Sequence, residues 1–463
     1  MAQDSAADTR QQQLNLIKQA DLNHHLHPFT DDNALKQHGP LVVTAAKGTR
    51  LFVETGIQLL DMVAGLGCVN IGYGREDMAE RAAQVVGELS FYHTFQGATN
   101  PYTAVLAKKL SEMTPGHLNK SFFTNSGSEA NETIVKLARA YWRLKGKPEK
   151  IQVVAREYAY HGSTLMTASL NGLPAMHQAY GLPLDGVHHI PSTAWYRNGG
   201  DQSPEDFALT CARALEAKVE RIGADRIGLL FVEPVQVGAG VVFSSPAYWA
   251  ELQRIAKAHD ILIAVDETVT GFGRMGEWVY HPKLGIEADF VCLAKGMSSG
   301  YQPVGAAMVA DHVAEVLAEG GVTQHGFTTS GHPVVAGLCL KNIEILAQEY
   351  LLDTVRESLG PRFQDRLQSL ADHPLVGEVR GEGLAAGIEL VADKATRRQY
   401  PLDQGVCGQV SNAALMQGVV VRPVGNALVL CPPLVVNDAE IEHTVSVLES
   451  ALDEVHGRLT GGD

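Results

Sequence analysis

The chain has 463 residues, 45% of them hydrophobic and 19% charged, with a formal net charge of −15. That length and apolar content suit a sizeable core and more than one domain, and the acidic balance argues against nucleic acid or an anionic membrane as a partner. No apolar run would span a bilayer, the first 37 residues hold no secretory-type apolar stretch, and the six cysteines (68, 211, 292, 339, 407 and 431) form no C-x-x-C pair, so a cytoplasmic protein with reduced core thiols and no metal centre is expected.

Residues 1–73 read as an N-terminal arm. It carries the one histidine cluster, His24, His25 and His27, in a polar stretch beside Pro28, where metal binding is not expected. A large central domain follows, over residues 74–331. Its first informative stretch, Phe122-Phe-Thr-Asn-Ser-Gly-Ser-Glu-Ala130, is a short apolar strand, then small residues, then a helix start. Over 129–142 the residues Ile134, Val135, Ala138, Tyr141 and Trp142 fall at helical spacing, which places Ser126, Gly127 and Ser128 at the helix N-terminus. Free N–H groups there suit a dianion, and an ordinary Asn or Ser cap is the alternative reading.

Apolar runs at 122–123, 151–154, 229–232, 261–265 and 290–293 alternate with helical patterns, which predicts a mostly parallel sheet. Ser126, Glu233, Asp266 and Lys295 all follow the carboxyl ends of these runs, where open α/β sheets bind ligands. Gly199, Gly200 and Pro204 mark a surface loop. Residues 332–463 read as a small α+β domain. It has helical patterns at 334–351, 407–417 and 441–455, an alternating, glycine-turned segment at 376–390, and strand-like runs at 419–422 and 427–430.

Lys295 is the most telling residue. It stands between an apolar run and a Gly/Ser turn, where an ammonium is poorly solvated and its pKa falls, so the amine becomes a nucleophile whose natural chemistry is a Schiff base. Pyridoxal phosphate (PLP) is the carbonyl most often held this way, and its pyridine nitrogen needs a carboxylate such as Asp266 to stay protonated. A solvated lysine and a strand-end or capping carboxylate are the structural alternatives.

Taken together, Ala64-Gly-Leu-Gly-Cys-Val-Asn-Ile-Gly-Tyr-Gly74, Thr124-Asn-Ser-Gly-Ser-Glu-Ala130, Tyr160-His-Gly162, Glu233-Pro-Val-Gln236, Asp266-Glu-Thr-Val-Thr-Gly-Phe-Gly-Arg274, Ala294-Lys-Gly296, His325-Gly-Phe-Thr-Thr-Ser-Gly-His-Pro333 and Val421-Arg-Pro-Val424 resemble the class III aminotransferases over nearly the whole chain. Asn23-His-His-Leu-His-Pro-Phe-Thr30 and Leu66-Gly-Cys-Val-Asn70 resemble the omega-amino acid or amine:pyruvate branch. The resemblance implies PLP fold type I, with a seven-stranded-type, mostly parallel sheet sandwiched by helices and a small α+β C-terminal domain to which the arm contributes.

Carried over residue by residue, the resemblance implies that Lys295 holds PLP and shuttles a proton, that Asp266 pairs with the pyridinium, and that Tyr160 lies on the ring with His161 behind it. Ser126, Gly127 and Ser128 match phosphate-binding positions, and Glu233 and Thr268 lie near the cofactor, with Gln236 near its ring hydroxyl. Thr328 matches a residue that reaches the phosphate of the neighbouring subunit, which implies a homodimer with composite sites, or a tetramer built from it. Arg422 matches a substrate-carboxylate clamp, and Gly67 and Phe95 match positions lining the substrate pocket. Tyr160 in core packing, Glu233 as a backbone-bonded strand end and Arg422 as a salt-bridged strand residue are the alternatives.

The chain departs from the family at four places. Gly67 stands where relatives usually have Trp, Thr268 where they have Val, and Thr329 where Tyr is common; Gln236-Val-Gly-Ala-Gly240 replaces Gln-Gly-Ala-Gly-Gly. A roomier substrate pocket is expected. The function expected is transfer of an amino group from an omega-amino acid, diamine, polyamine or other primary amine to an oxo acid, pyruvate being the expected acceptor. The rivals are an aminomutase, racemase or decarboxylase on the same scaffold, or a catalytically silent binding module.

Overall fold

A computed structural model describes residues 2–461, with side chains from residue 12 onward. Met1 of the expected arm and the last two residues of the expected C-terminal domain lie outside it. The arm is less irregular than its polar composition suggests, for it opens with helix α1 (Ala2–His24). Lys18 of α1 bonds Glu54 at 2.7 Å and ties the helix to a four-stranded sheet. Three of that sheet's strands, Val43–Lys47, Arg50–Val53 and Gln58–Asp61, come from the N-terminal part; the fourth, Val419–Val420, comes from near the other end of the chain and pairs in parallel with the third.

The central sheet has seven strands: β1 (Lys120–Thr124), β2 (Gln152–Arg156), β3 (Val187–Ile190), β4 (Ile227–Val232), β5 (Leu262–Asp266), β6 (Phe290–Ala294) and β7 (Gly305–Val309). Their order is β1-β7-β6-β5-β4-β2-β3, and only β7 runs against its neighbours. Strands β4 to β7 are buried at every residue, as sheets covered on both faces require, and this explains their continuous apolar sequence. Helix α2 (Gly127–Leu144) follows β1 and buries Ile134, Val135, Ala138, Tyr141 and Trp142. The indole of Trp142 donates to the Gly228 carbonyl at 2.8 Å, fastening α2 beneath β4.

Beyond residue 332 a helix spans Pro333–Gln348, three residues shorter than the expected run to 351. Tyr350 adopts a left-handed backbone (φ +53°) that ends it before the next helical turn starts at Leu351. The second four-stranded sheet is antiparallel, in the order Val376–Glu382, Ala385–Leu390, Ala427–Leu430, Arg422–Val424. No helix among the described residues is long and apolar enough to cross a membrane.

Candidate active site

The carboxyl ends of β1, β2, β4, β5 and β6 converge on one region, and each delivers a polar group there. Asp266 is the last residue of β5 and is 4% exposed. Its Oδ2 accepts from His161 Nδ1 at 2.9 Å and from Asn131 Nδ2 at 2.8 Å, and its Oδ1 accepts from the Thr268 backbone at 3.0 Å. Burial alone pushes the carboxyl up, but the His161 hydrogen bond and charge, with Thr268, outweigh it and hold Asp266 below the usual carboxylate range. A carboxylate that favours its ionised form therefore sits in a buried wall. The capping reading of Asp266 holds in part, since its Oδ1 also braces the turn after β5 through the Thr268 N–H.

His161 is itself buried, with its Nε2 lacking a hydrogen bond among the described residues and 3.8 Å from Glu233 Oε2. Glu233, just past β4, accepts from the Tyr160 backbone at 3.2 Å and from Arg156 Nη2 at 3.0 Å. Asp266, His161, Glu233 and Arg156 thus form a continuous buried row of alternating groups. The backbone-bonded reading of Glu233 is correct in part, since its carboxylate braces the turn carrying Tyr160. Tyr160 is partly exposed beside it, and a Cβ on Gly238 would come within 3.1 Å of its Cβ.

Lys295 follows β6 directly, with a left-handed backbone (φ +41°) that is unfavourable for a residue bearing a Cβ. Its ammonium has no hydrogen-bond or ion-pair partner among the described residues. Burial pushes the Cys431 thiol up, while the cations of Arg274, Lys295 and Arg422 pull it back. Arg422 is exposed on the edge strand Arg422–Val424 and has no ion-pair partner among the described residues, which removes the salt-bridged reading.

Ser126 caps α2 by accepting from the Glu129 N–H at 3.1 Å, leaving the Gly127 and Ser128 N–H groups without partners among the described residues. Both alternatives for this stretch therefore hold, a Ser cap with two free donors beside it. A Cβ on Gly127 would stand 3.2 Å from Thr268 Oγ1 and 3.3 Å from Ala294 Cβ, so a larger residue there would push the ends of β5 and β6 aside by a few tenths of an ångström. Ser128 Oγ accepts from Ser163 N at 3.1 Å, and a Cβ on Gly162 would be 2.6 Å from that oxygen. Thr268 turns its hydroxyl to Cys292 Sγ at 3.4 Å.

These groups fit PLP by chemistry. Two free N–H donors beneath a glycine cradle suit a phosphate, an unpartnered amine suits an aldehyde, and a buried ionised carboxylate suits a pyridinium.

Other expected positions lie apart or are otherwise engaged. Gln236 is fully buried, its amide oxygen accepting from Ser192 (2.7 Å) and its amide nitrogen donating to the Glu157 carbonyl (3.1 Å). Phe95 packs against Gly326, where a Cβ would come within 2.8 Å of its ring, and so belongs with the loop carrying Thr328. Thr328 is exposed and unbonded among the described residues, while Thr329 donates to Asn125 Oδ1 at 2.6 Å. Gly67 (φ +71°) lies beside Val269. Sequence reasoning passed over Asn131 and Arg156; a charged residue closing the apolar run 152–156 was the available signal for Arg156.

Residues 33–452 match the family model described as Aminotransferase class-III. The putrescine--pyruvate aminotransferase of Pseudomonas aeruginosa is 40% identical over 432 residues, 93% of this chain and 94% of that protein. A thermostable omega transaminase variant with Trp replaced by Gly, engineered for asymmetric synthesis of enantiopure bulky amines, superposes with a TM-score of 0.93 at 36% identity, covering 96% of this chain and all of the other. The PMP-bound aminotransferase of Vibrio fluvialis does so with a TM-score of 0.92 at 33% identity, covering 96% and 99%. The chain belongs to the class III aminotransferases, PLP-dependent enzymes of fold type I that pass an amino group from an amine to an oxo acid.

Proposed function

We propose that this enzyme takes the amino group of a diamine, omega-amino acid or comparable primary amine and delivers it to pyruvate. The observation that carries the reading is the unpartnered Lys295 amine directly after β6, with the buried carboxylate of Asp266 at the end of the neighbouring strand β5. The putrescine--pyruvate relative supports the donor and acceptor classes. When bound, PLP supplies the electron sink that lets an amine-bearing carbon lose a proton.

The protein's own groups do the rest. Lys295 tethers the cofactor, then takes the proton from the donor carbon and returns it to the cofactor side. Asp266, held ionised by His161, Asn131 and Thr268, keeps the pyridine nitrogen protonated. The free Gly127 and Ser128 N–H groups, beside the Ser126 cap on Glu129, would bind the phosphate. Tyr160 and Thr268 would help hold the ring, and Glu233 sets the position of Tyr160 by accepting from its backbone N–H. Arg422 clamps the acceptor carboxylate in the bidentate geometry that guanidinium favours.

Gly67 leaves room for long donors, a reading supported by the engineered Trp-to-Gly relative made for bulky amines. Thr328 and Phe95 complete the site of a second copy, so the working unit is a homodimer or a multiple of it. The divisions near residues 73 and 331 and a cytoplasmic location belong to the same proposal; six unpaired cysteines, five of them buried, support the location.

The test is the visible absorbance of the PLP-loaded protein with putrescine, spermidine, beta-alanine, taurine or 1-phenylethylamine, each followed by pyruvate. Putrescine or spermidine is expected to bleach the cofactor band and pyruvate to restore it. Bleaching by none of the amines, or recovery with 2-oxoglutarate but not pyruvate, would overturn the assignment. Lys295→Ala is expected to lower turnover at least 10³-fold, about 4 kcal/mol of transition-state stabilisation.

A further inference from the structure

The end of α1 carries an arrangement that transamination does not use. Asp21 lies in the last turn of α1, and the chain beyond His24 folds back so that two imidazoles meet its carboxylate. His25 Nδ1 is 2.9 Å from Asp21 Oδ1, and His27 Nε2 is 2.7 Å from Asp21 Oδ2. The two rings lie 4.1 Å apart, centroid to centroid, and one donor atom from each of the three residues falls within 4.8 Å of the others.

From this convergence we propose that Asp21, His25 and His27 bind one divalent ion of the zinc class, clipping the end of α1 to the segment that follows it. Two imidazoles with one carboxylate select zinc, cobalt or nickel over magnesium or calcium, whose ligands are oxygen. With metal–ligand bonds of about 2.0–2.2 Å, tetrahedral neighbours lie about 3.3 Å apart, so the two imidazole–carboxylate spacings need to open by about half an ångström, and the three donor atoms already lie within 4.8 Å of one another.

Electrostatics favour the ion in two further ways. A helix C-terminus presents partial negative charge to a cation, and the chain as a whole carries a net charge of −15. The nearby Lys18 is already paired with Glu54 at 2.7 Å, so its charge is partly neutralised. On binding, each neutral imidazole turns its lone pair to the metal, and the proton on that nitrogen passes through solvent to the other ring nitrogen. The three protein ligands leave a fourth position for water.

The test uses untagged holoenzyme, cleared with a chelator and titrated with Co²⁺. The expected result is one ion per chain, with the visible bands of tetrahedral cobalt, displaced by Zn²⁺. His27→Ala and Asp21→Asn should weaken binding at least tenfold, while His24→Ala, one position from the cluster, should leave it unchanged. Absence of saturable binding, parental affinity in His27→Ala or Asp21→Asn, or an equal loss in His24→Ala would each overturn the proposal. The cofactor band and transaminase rate serve as the folding control, since none of the three ligands belongs to the active site.

Discussion

If Gly67 lines the substrate pocket as proposed, it couples pocket size to backbone strain. Its φ of +71° suits glycine, and any side chain there starts from a Cβ 3.6 Å from Val269 Cγ1. Gly67→Trp is expected to cost about 1–2 kcal/mol of stability, the ordinary penalty for a side chain in a left-handed conformation. It should also lower kcat/KM for bulky amines at least tenfold relative to small ones. Urea denaturation and a donor series measure the two effects separately, and unchanged selectivity would remove Gly67 from the pocket. Arg422 offers a sharper contrast because one substrate carries a carboxylate and a diamine does not. A charge-assisted hydrogen bond contributes about 1.5–3 kcal/mol, so Arg422→Ala should raise KM for pyruvate roughly 10- to 100-fold. The half-reaction with putrescine, followed by stopped-flow absorbance, should keep its rate.

At the scale of elements, the outer strand β3 carries a titration that the site does not. Burial pushes the His189 pKa down to about 4, against a weaker opposing effect from the Leu170 carbonyl 3.2 Å from its Nε2. The folded protein therefore keeps this ring neutral between pH 6.5 and 4, where the unfolded chain protonates it. Stability is fully present above about pH 6.5 and falls as acid is added, by at most about 1.4 kcal/mol per pH unit, until the folded ring also titrates near pH 4. His189→Gln should flatten the denaturant midpoint across that window, and a profile as steep as the parent's would contradict this assignment.

The same strand shows the limits of reading elements from sequence. Val187–Ile190 contains two histidines, and β7 is Gly-Ala-Ala-Met-Val; neither run has the branched aliphatic density that exposes β4 or β5 to inspection. α1 was hidden by its polar residues, which give no apolar stripe. By contrast, Ser126 to Ser128, Asp266 and Lys295 were legible because each closes or follows an apolar strand, so a local pattern marks the place. Arg156 with Glu233, 77 residues apart, and Asn131 with Asp266, 135 apart, are joined only by the fold.

For the whole molecule, the central question is whose Thr328 serves which Lys295. Phe95 packs on Gly326 in the loop that bears Thr328, and Thr328 itself is exposed without a partner among the described residues. An exposed hydroxyl beside an aromatic ring is a surface waiting for a second copy if the composite-site reading holds. Thr328→Ala should then weaken PLP retention in the homodimer by about 1 kcal/mol, roughly fivefold, the net worth of a hydrogen bond. Lys295→Ala should abolish turnover. A hybrid of one Lys295→Ala subunit and one Thr328→Ala subunit has one site combining the second subunit's Lys295 with the first subunit's Thr328, and that site is wild type. Hybrids isolated with two different affinity tags should therefore show half the parental activity per dimer and parental PLP retention at the active site. If Thr328 served its own subunit, the only lysine-bearing site would keep the weakened retention of the Thr328→Ala homodimer, and measuring the PLP dependence of activity in the hybrid separates the two arrangements.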